Sequence, residues 1–137
     1  MITPDSSVAI AAAASWHVAH DLAVAALEQD DSTLIAHVAY ETTAALSRMP
    51  QGHRITPTVV VEWLQRRFQR EWLTLPPAAA FDSLRNAVEH GIRGGALYDA
   101  LVAATAAHHR HTLVTADRRA APVYQALGVT VTYVGEP

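Results

Sequence analysis

Four carboxylates offer the chemistry in this sequence: Asp5, Glu41, Asp99 and Asp117. Asp99 is the most conspicuous. It is the one formal charge between Arg93 and Arg110 in RGGALYDALVAATAAHHR, among Leu97, Leu101, Val102 and six alanines. A helix so apolar on nearly every side is expected to be largely buried. An isolated buried carboxylate is costly unless it is protonated, paired or bound to a metal. Arg93 and Arg110 stand before that helix and at its far end, so the compensating cation must come from the fold or from a metal.

All four acids fall where extended segments are expected to give way to helices. Asp5 follows the first apolar segment and Asp117 follows HTLVT. Glu41 is expected in the first turn of the helix after STLIAHV, and Asp99 in the first turn of the helix that leads into HTLVT. The simplest role for an acid at such a place is to cap the helix and complement its dipole, worth roughly 0.3–1 kcal/mol. Asp99 suits that role least, because Gly94 and Gly95 already supply the loop and Asp99 lies about three residues inside the helix. If the four converge, they repel one another and raise one another's pKa. A hard divalent cation, Mg²⁺ or Mn²⁺, removes that penalty and prefers carboxylate oxygens. Ser6 and Ser7 beside Asp5, and Thr115 before Asp117, are candidates to orient carboxylates or water, or simply to cap and turn the chain.

Composition removes many other functions. The 137 residues contain no cysteine, which excludes disulfides, thiolate metal sites and cysteine nucleophiles. All ten basic residues are arginine, so the lysine of a P-loop or a kinase strand is missing, as is that of phosphate-handling Asp–Lys sites. Neither GxGxxG nor GxSxG occurs. A net charge of −3 is not that of a typical nucleic-acid binder. No run reaches the ~20 apolar residues of a membrane span. No charged segment precedes an apolar one at Met1, so neither a leader nor a membrane segment is expected, and a cytoplasmic protein is the simplest reading.

The elements that must position the acids read as an alternation of short apolar strands and helices. A strand ends at Pro4 or Asp5, followed by an alanine-rich helix. SWHVAHDLAVAALEQDD reads as a helix capped by Ser15, with Val18, Leu22, Ala25 and Ala26 on its apolar face. After the strand STLIAHV comes the helix AYETTAALSRM. TPTVVVEWLQRRFQREW follows, capped at Thr56 with Pro57 at its first position and Val60, Trp63, Leu64 and Phe68 as its stripe. WLTL is a brief strand, Pro76-Pro77 open another helix, and the Asp99 helix leads to the strand HTLVT. DRRAAPVYQAL is helical, Gly128 stops it, and VTVTYV is the last strand. About five strands alternating with helices predict one α/β domain over residues 1–137. Its parallel sheet is covered on both faces in three α/β/α layers, and ligands sit at the carboxyl ends of the strands.

DSSV at Asp5, the Glu in the helix after strand two, GGALYDALVAATA around Asp99 and TLVTADRRA around Asp117 together resemble the PIN-domain ribonucleases. More narrowly they resemble the VapC toxins of bacterial toxin–antitoxin pairs. The resemblance runs from the first strand to LGVTVTYV, and the two C-terminal motifs are its specific part. It implies a sheet order of 3-2-1-4-5, with Asp5 and Asp117 on neighbouring central strands. It also implies an acidic metal site of Asp5, Glu41, Asp99 and Asp117, in which Asp5 and Asp99 are the main ligands of Mg²⁺ or Mn²⁺, with Ser7 and Thr115 in support. The implied activity is metal-dependent hydrolysis of RNA phosphodiesters, and the implied partners are a VapB-like antitoxin and a second copy of the chain. Pro4 departs from the pattern, since proline cannot donate to a ladder, and it predicts a short first strand.

The remaining features are secondary. Arg118 and Arg119 follow the last acid and are candidates to meet phosphate, as are Arg66, Arg67 and Arg70 along one helix; solvated helix charge is the simpler reading of each. Trp63, Phe68 and Trp72 read as core or partner contacts, and Trp16 as the mouth of an apolar groove for the antitoxin. His108, His109 and His111 fall on different faces at a helix end and a strand start, so they do not read as a metal site; His17 and His20 share a helix face. Two other readings stand beside the toxin: a binding module on the same fold that does not cleave, and a nuclease of housekeeping RNA maturation.

Overall fold

A computed structural model describes residues 1–135. Ten main elements run in order: β1 (Ile2–Pro4), α1 (Ser6–Ala13), α2 (His20–Leu27), α3 (Ala36–Ser47), α4 (Pro57–Arg67), α5 (Pro77–Glu89), α6 (Ala96–His108), β2 (Thr112–Thr115), α7 (Ala121–Ala126) and β3 (Val131–Tyr133). A 3₁₀ turn, Arg118–Ala120, joins β2 to α7. The sheet is parallel in the order β1-β2-β3, with Ile2 opposite Thr112, Pro4 opposite Val114, and Leu113 opposite Val131. Consecutive residues of a strand face opposite ways. Ile2, Thr3, Leu113, Val114 and Thr115 are all buried, so both faces of β1 and β2 are covered.

The described sheet has three strands rather than about five. STLIAHV takes part in two isolated parallel bridges, Ser32 with Ile2 and Ile35 with Leu73, the second of which it shares with WLTL. The amides there are satisfied: Ile2 N–H donates to Asp31 O at 2.9 Å, and Leu73 N–H donates to Leu34 O at 2.8 Å. What is missing is length. The extended chain emerges from the Asp30-Asp31 turn and enters α3 at Ala36, and beyond Leu73 the pair Pro76-Pro77 opens α5. Neither segment has room for a second ladder pair. The single bridges lie where a 3-2-1-4-5 order would seat its second and third strands.

Two helices differ from their sequence pattern. The second starts at His20 rather than after Ser15 and buries Ala23 and Leu27. Val18 precedes it, fully solvent-facing at 99%, and Leu22 is exposed at 54%. The helix α4 stops at Arg67, because Phe68 turns extended and sinks into the core while the chain heads for the Leu73 bridge. Arg70 therefore lies off the helix, yet Arg66, Arg67 and Arg70 still line one groove together with Asp30 and Asp31; Arg70 pairs with Asp31 at 2.9 Å and Arg67 donates to Leu27 O at 3.0 Å.

Pro4 leaves the first acid well placed. Asp5 N–H donates to Val114 O at 3.0 Å, so β1 remains tied to β2 one residue beyond the proline. The core gathers α1, the start of α3, α4, the inner face of α6 and β2. Helices α1 and α6 both pack on β2. Each enters from the strand-end side, and the first turns of α1 and α6 bring Asp5 and Asp99 to the same edge as Asp117.

Candidate active site

Asp5 is the N-cap of α1, its backbone extended and its Oδ1 accepting from Val8 N at 3.3 Å. It is 5% exposed. Four donors converge on the carboxylate: Ser7 Oγ and Val8 N–H on Oδ1, and Thr115 Oγ1 and Tyr124 O–H on Oδ2, the last at 2.8 Å. Those four contacts fill the acceptor positions a carboxylate has. Burial nonetheless pushes the Asp5 carboxyl above its ordinary range, against the pull of Ser7, Thr115, Tyr124 and Val8. The same burial and the Asp5 charge drive the Tyr124 hydroxyl far upward, so it stays protonated and donates.

The hydroxyl cage also joins two elements. Ser7 Oγ accepts from Ala116 N at 2.8 Å, and Thr115 Oγ1 accepts from Asp117 N at 3.0 Å. The start of α1 is thereby bonded to the end of β2. Asp117 caps the 3₁₀ turn, its Oδ1 accepting from Arg119 N at 3.0 Å and from Arg119 Nε at 3.3 Å. Capping and site-building are thus not alternatives for Asp5 and Asp117.

Asp99 lies in the first turn of α6 and is only half-buried. The most enclosed acid is Asp5, not Asp99 as the apolar sequence around Asp99 suggests. The alanine faces of α6 are covered through Ala100, Val102, Ala103 and Ala106, while its first turn stays open at the sheet edge. Burial raises the Asp99 carboxyl, the Asp117 and Asp5 charges raise it further, and Arg119 opposes them. Glu41 is in the second turn of α3 rather than the first, since that helix begins at Ala36. Burial, then Asp99, then Asp5 push it up to about 7.

The four acids therefore share one field. They do not form a ready-made shell: among the described residues no three His, Asp or Glu side chains are grouped to hold a metal ion. Asp5 is turned into its hydroxyl cage and Asp117 toward Arg119, while Glu41 and Asp99 keep their oxygens freer.

Three neighbouring residues escaped sequence reasoning. Tyr124 is 1% exposed on α7, and a buried tyrosine hydroxyl needs a partner. That requirement was the available signal, but nothing in APVYQAL names the partner. His37, one turn before Glu41 on α3, stacks on Tyr98, their rings 5.4 Å apart and 8° from parallel. Its Nε2 lies 3.7 Å from Glu41 Oε1, too long for a hydrogen bond, and burial pushes the imidazole below its ordinary pKa, so the contact is not an ion pair.

A shallow groove of about 520 Å³ adjoins the acids, lined by Ser7, Ile10, His17, Asp117, Arg118 and Arg119. Arg118 lies over the Tyr133 ring at 4.6 Å and donates to Gly135 O, whereas the Arg119 side chain is 94% exposed. The C-terminal histidines face no common point: His109 Nε2 contacts Thr74 O and His111 Nδ1 contacts His109 O, each at 2.8 Å.

Known proteins share this plan. The PIN-domain family profile matches residues 2–125. The chain is 41% identical to ribonuclease VapC40 of Mycobacterium tuberculosis over 134 residues, covering 98% of this chain and 99% of that protein. It is 38% identical to ribonuclease VapC27 of the same organism over 127 residues, covering 93% and 92%. The crystal structure of FitAcB from Neisseria gonorrhoeae superposes with a TM-score of 0.68 at 25% identity, over 96% of both chains. VapBC2 from Rickettsia felis, solved bound to a DNA fragment from its promoter, superposes at 0.68 over 98% of this chain and 100% of that one; at 16% identity it speaks for the fold alone.

Proposed function

This chain belongs to the PIN-domain family, and from that premise we propose that it is the toxin of a type II toxin–antitoxin pair, an endoribonuclease that hydrolyses RNA phosphodiesters with a divalent cation. The observation that carries the reading is the convergence of Asp5, Glu41, Asp99 and Asp117 at one edge, where burial first, and then the Asp99 and Asp5 charges, raise Glu41 to about 7. Near-full-length identity to two VapC ribonucleases gives it its direction.

The donor set fits a hard cation. It consists of carboxylate and hydroxyl oxygens without sulfur, and the raised Glu41 and Asp99 carboxyls are those that a positive charge would relieve. Asp99, Glu41 and Asp117 would hold Mg²⁺ or Mn²⁺, with Asp5 joining by yielding a hydrogen bond, most readily the 3.3 Å one from Val8. Such a cation, when bound, supplies a water acidic enough to serve as nucleophile and neutralises charge at the phosphate. The chain's own residues do the rest. Ser7, Thr115 and Tyr124 hold Asp5 in one orientation, and Arg119 steadies Asp117. The groove lined by His17, Arg118 and Arg119 receives the phosphate backbone beside the acids.

The antitoxin has a matching surface. Between α3 and α4 runs an apolar groove of about 560 Å³ lined by Ala39, Tyr40, Ala44, Val61, Leu64 and Trp72. We place the antitoxin chain there. Trp16, 41% exposed and tilted against His53 with the rings 4.6 Å apart, is available to an extension of that contact. Exposed Phe81 and Val88 on α5, outside the groove that Tyr98 borders, are the face we assign to a second copy. Among the described residues no helix is long and apolar enough to cross a membrane. We place the protein in the cytoplasm with its RNA.

Purified protein should cleave RNA in Mg²⁺ or Mn²⁺ and stop when a chelator is added. Asp99→Asn should cut the rate at least about 100-fold with an unchanged circular-dichroism spectrum. Normal cleavage by that variant would remove the assignment. Induced expression should arrest growth, which a housekeeping nuclease or a non-cleaving module would not do.

A further inference from the structure

Helix α6 reaches α3 through an aromatic pair, Tyr98 on His37. The rings are nearly parallel, within the offset-stacking range. One face of Tyr98 is covered by the imidazole, yet the residue remains 56% exposed. Its exposure therefore lies on the other face and edge of the ring. The platform adjoins the acids on both sides: Asp99 is the next residue after Tyr98, and His37 approaches Glu41 to 3.7 Å. A planar, uncharged ring is thus presented to solvent within one side chain of the carboxylates.

We propose that the Tyr98–His37 stack is a nucleobase platform, on which an unpaired base of single-stranded RNA next to the cleaved phosphate lies against the outer face of Tyr98. This rests on the ribonuclease reading above. Aromatic faces are how proteins hold unstacked bases, and the contact tolerates any base because every base has a π-face. The platform would fix the register of the strand and select unpaired RNA over duplex without reading sequence.

A contact with a second copy is the competing occupant, because Tyr98 also borders the apolar groove of α5 and α6 with Leu84, Leu97 and Leu101. The acids decide between them. A copy seated two-fold on Tyr98 would bring its own Asp99, the neighbour of its Tyr98, to this edge, and would strip water from carboxyls that burial and the neighbouring acids already raise. RNA seated there leaves that edge open to water and cation.

The test uses the full chain, Tyr98→Ala and Tyr98→Trp, with labelled single-stranded RNA carrying one abasic nucleotide moved along the sequence. Cleavage is read as kcat/KM, and affinity is read by anisotropy in the Asp99→Asn background with Mg²⁺. Native Tyr98 should lose on the order of tenfold when the abasic position meets the platform. Tyr98→Ala should lose a similar factor on intact RNA and be indifferent to the abasic site, and Tyr98→Trp should behave as native. Equal kcat/KM for Tyr98→Ala and the native chain overturns the platform while leaving the ribonuclease standing. A loss of activity that follows dissociation of a dimer in gel filtration also overturns it, and assigns Tyr98 to contact between copies. If the native chain neither binds nor cleaves any RNA, the ribonuclease reading falls first.

Discussion

A carboxylate with four donors is a fixed object, and Asp5 has them in Ser7, Val8, Thr115 and Tyr124. A hydrogen bond to a charged group is worth about 1.5–3 kcal/mol. Tyr124→Phe keeps the ring in the core and removes only that bond. It should lower stability by about that amount and weaken divalent-cation affinity roughly tenfold, the scale at which a supporting hydrogen bond is felt; a cation titration followed by thermal melting reads both. Glu41 makes a prediction of opposite sign. Its pKa rises on folding from 4.5 to about 7, so between those values the folded chain holds a proton that the unfolded chain has released. Stability of the metal-free protein should therefore fall as pH rises through that window. Glu41→Gln should reduce the slope, leaving the part that the raised Asp5 and Asp99 contribute, and raise the melting temperature at pH 8. At a side chain 31% exposed, water limits the gain to about 1 kcal/mol, or roughly 3–5 °C. A melting temperature of Glu41→Gln at or below that of the native chain would show that burial and the neighbouring acids do not penalise the Glu41 charge.

The helices and β2 were legible because their signals are local. Pro57 opens α4 at its first position, Gly128 takes φ +70° after α7, and HTLVT is a short run that forms a strand buried on both faces. Placement of the acids at the strand ends followed from the same signals. What was not legible depends on neighbours. STLIAHV has strand composition, but its pairing stops at a single bridge to each neighbour because α3 starts at Ala36, a boundary set by packing on α1 and α4. Asp99 read as buried because its helix is apolar, yet which turn of a buried helix remains open is settled by what ends beside it. Tyr124 and Tyr98 joined the site through partners 119 and 61 positions away, Asp5 and His37, which no spacing rule links. Gly128→Ala tests the local side of this account. Its φ disfavours any Cβ, and its space is open, so the cost should be about 1 kcal/mol of stability from backbone conformation alone. RNA cleavage at saturating Mg²⁺ should be unchanged, which steady-state kinetics checks.

The molecule as a whole is a small α/β domain whose closed core ends in an open acidic edge. One side of that edge carries His17, Arg118 and Arg119, the other an aromatic stack, and apolar surface lies open on α3–α4 and α5. If the acidic edge binds the proposed cation, saturating Mg²⁺ or Mn²⁺ should raise the melting temperature by mass action, about 2.7 kcal/mol at a hundred times Kd. The most direct test of the central claim is calorimetric titration of Mn²⁺ into the native chain and into Asp99→Asn at pH 6.5, repeated in two buffers of different ionisation enthalpy. Because Glu41 titrates near 7, binding to the acidic edge must expel protons, and the heat should differ between buffers for the native chain and vanish for Asp99→Asn. Absence of binding, or equal binding without proton release in both proteins, would contradict the assignment of this edge as the cation-dependent ribonuclease centre.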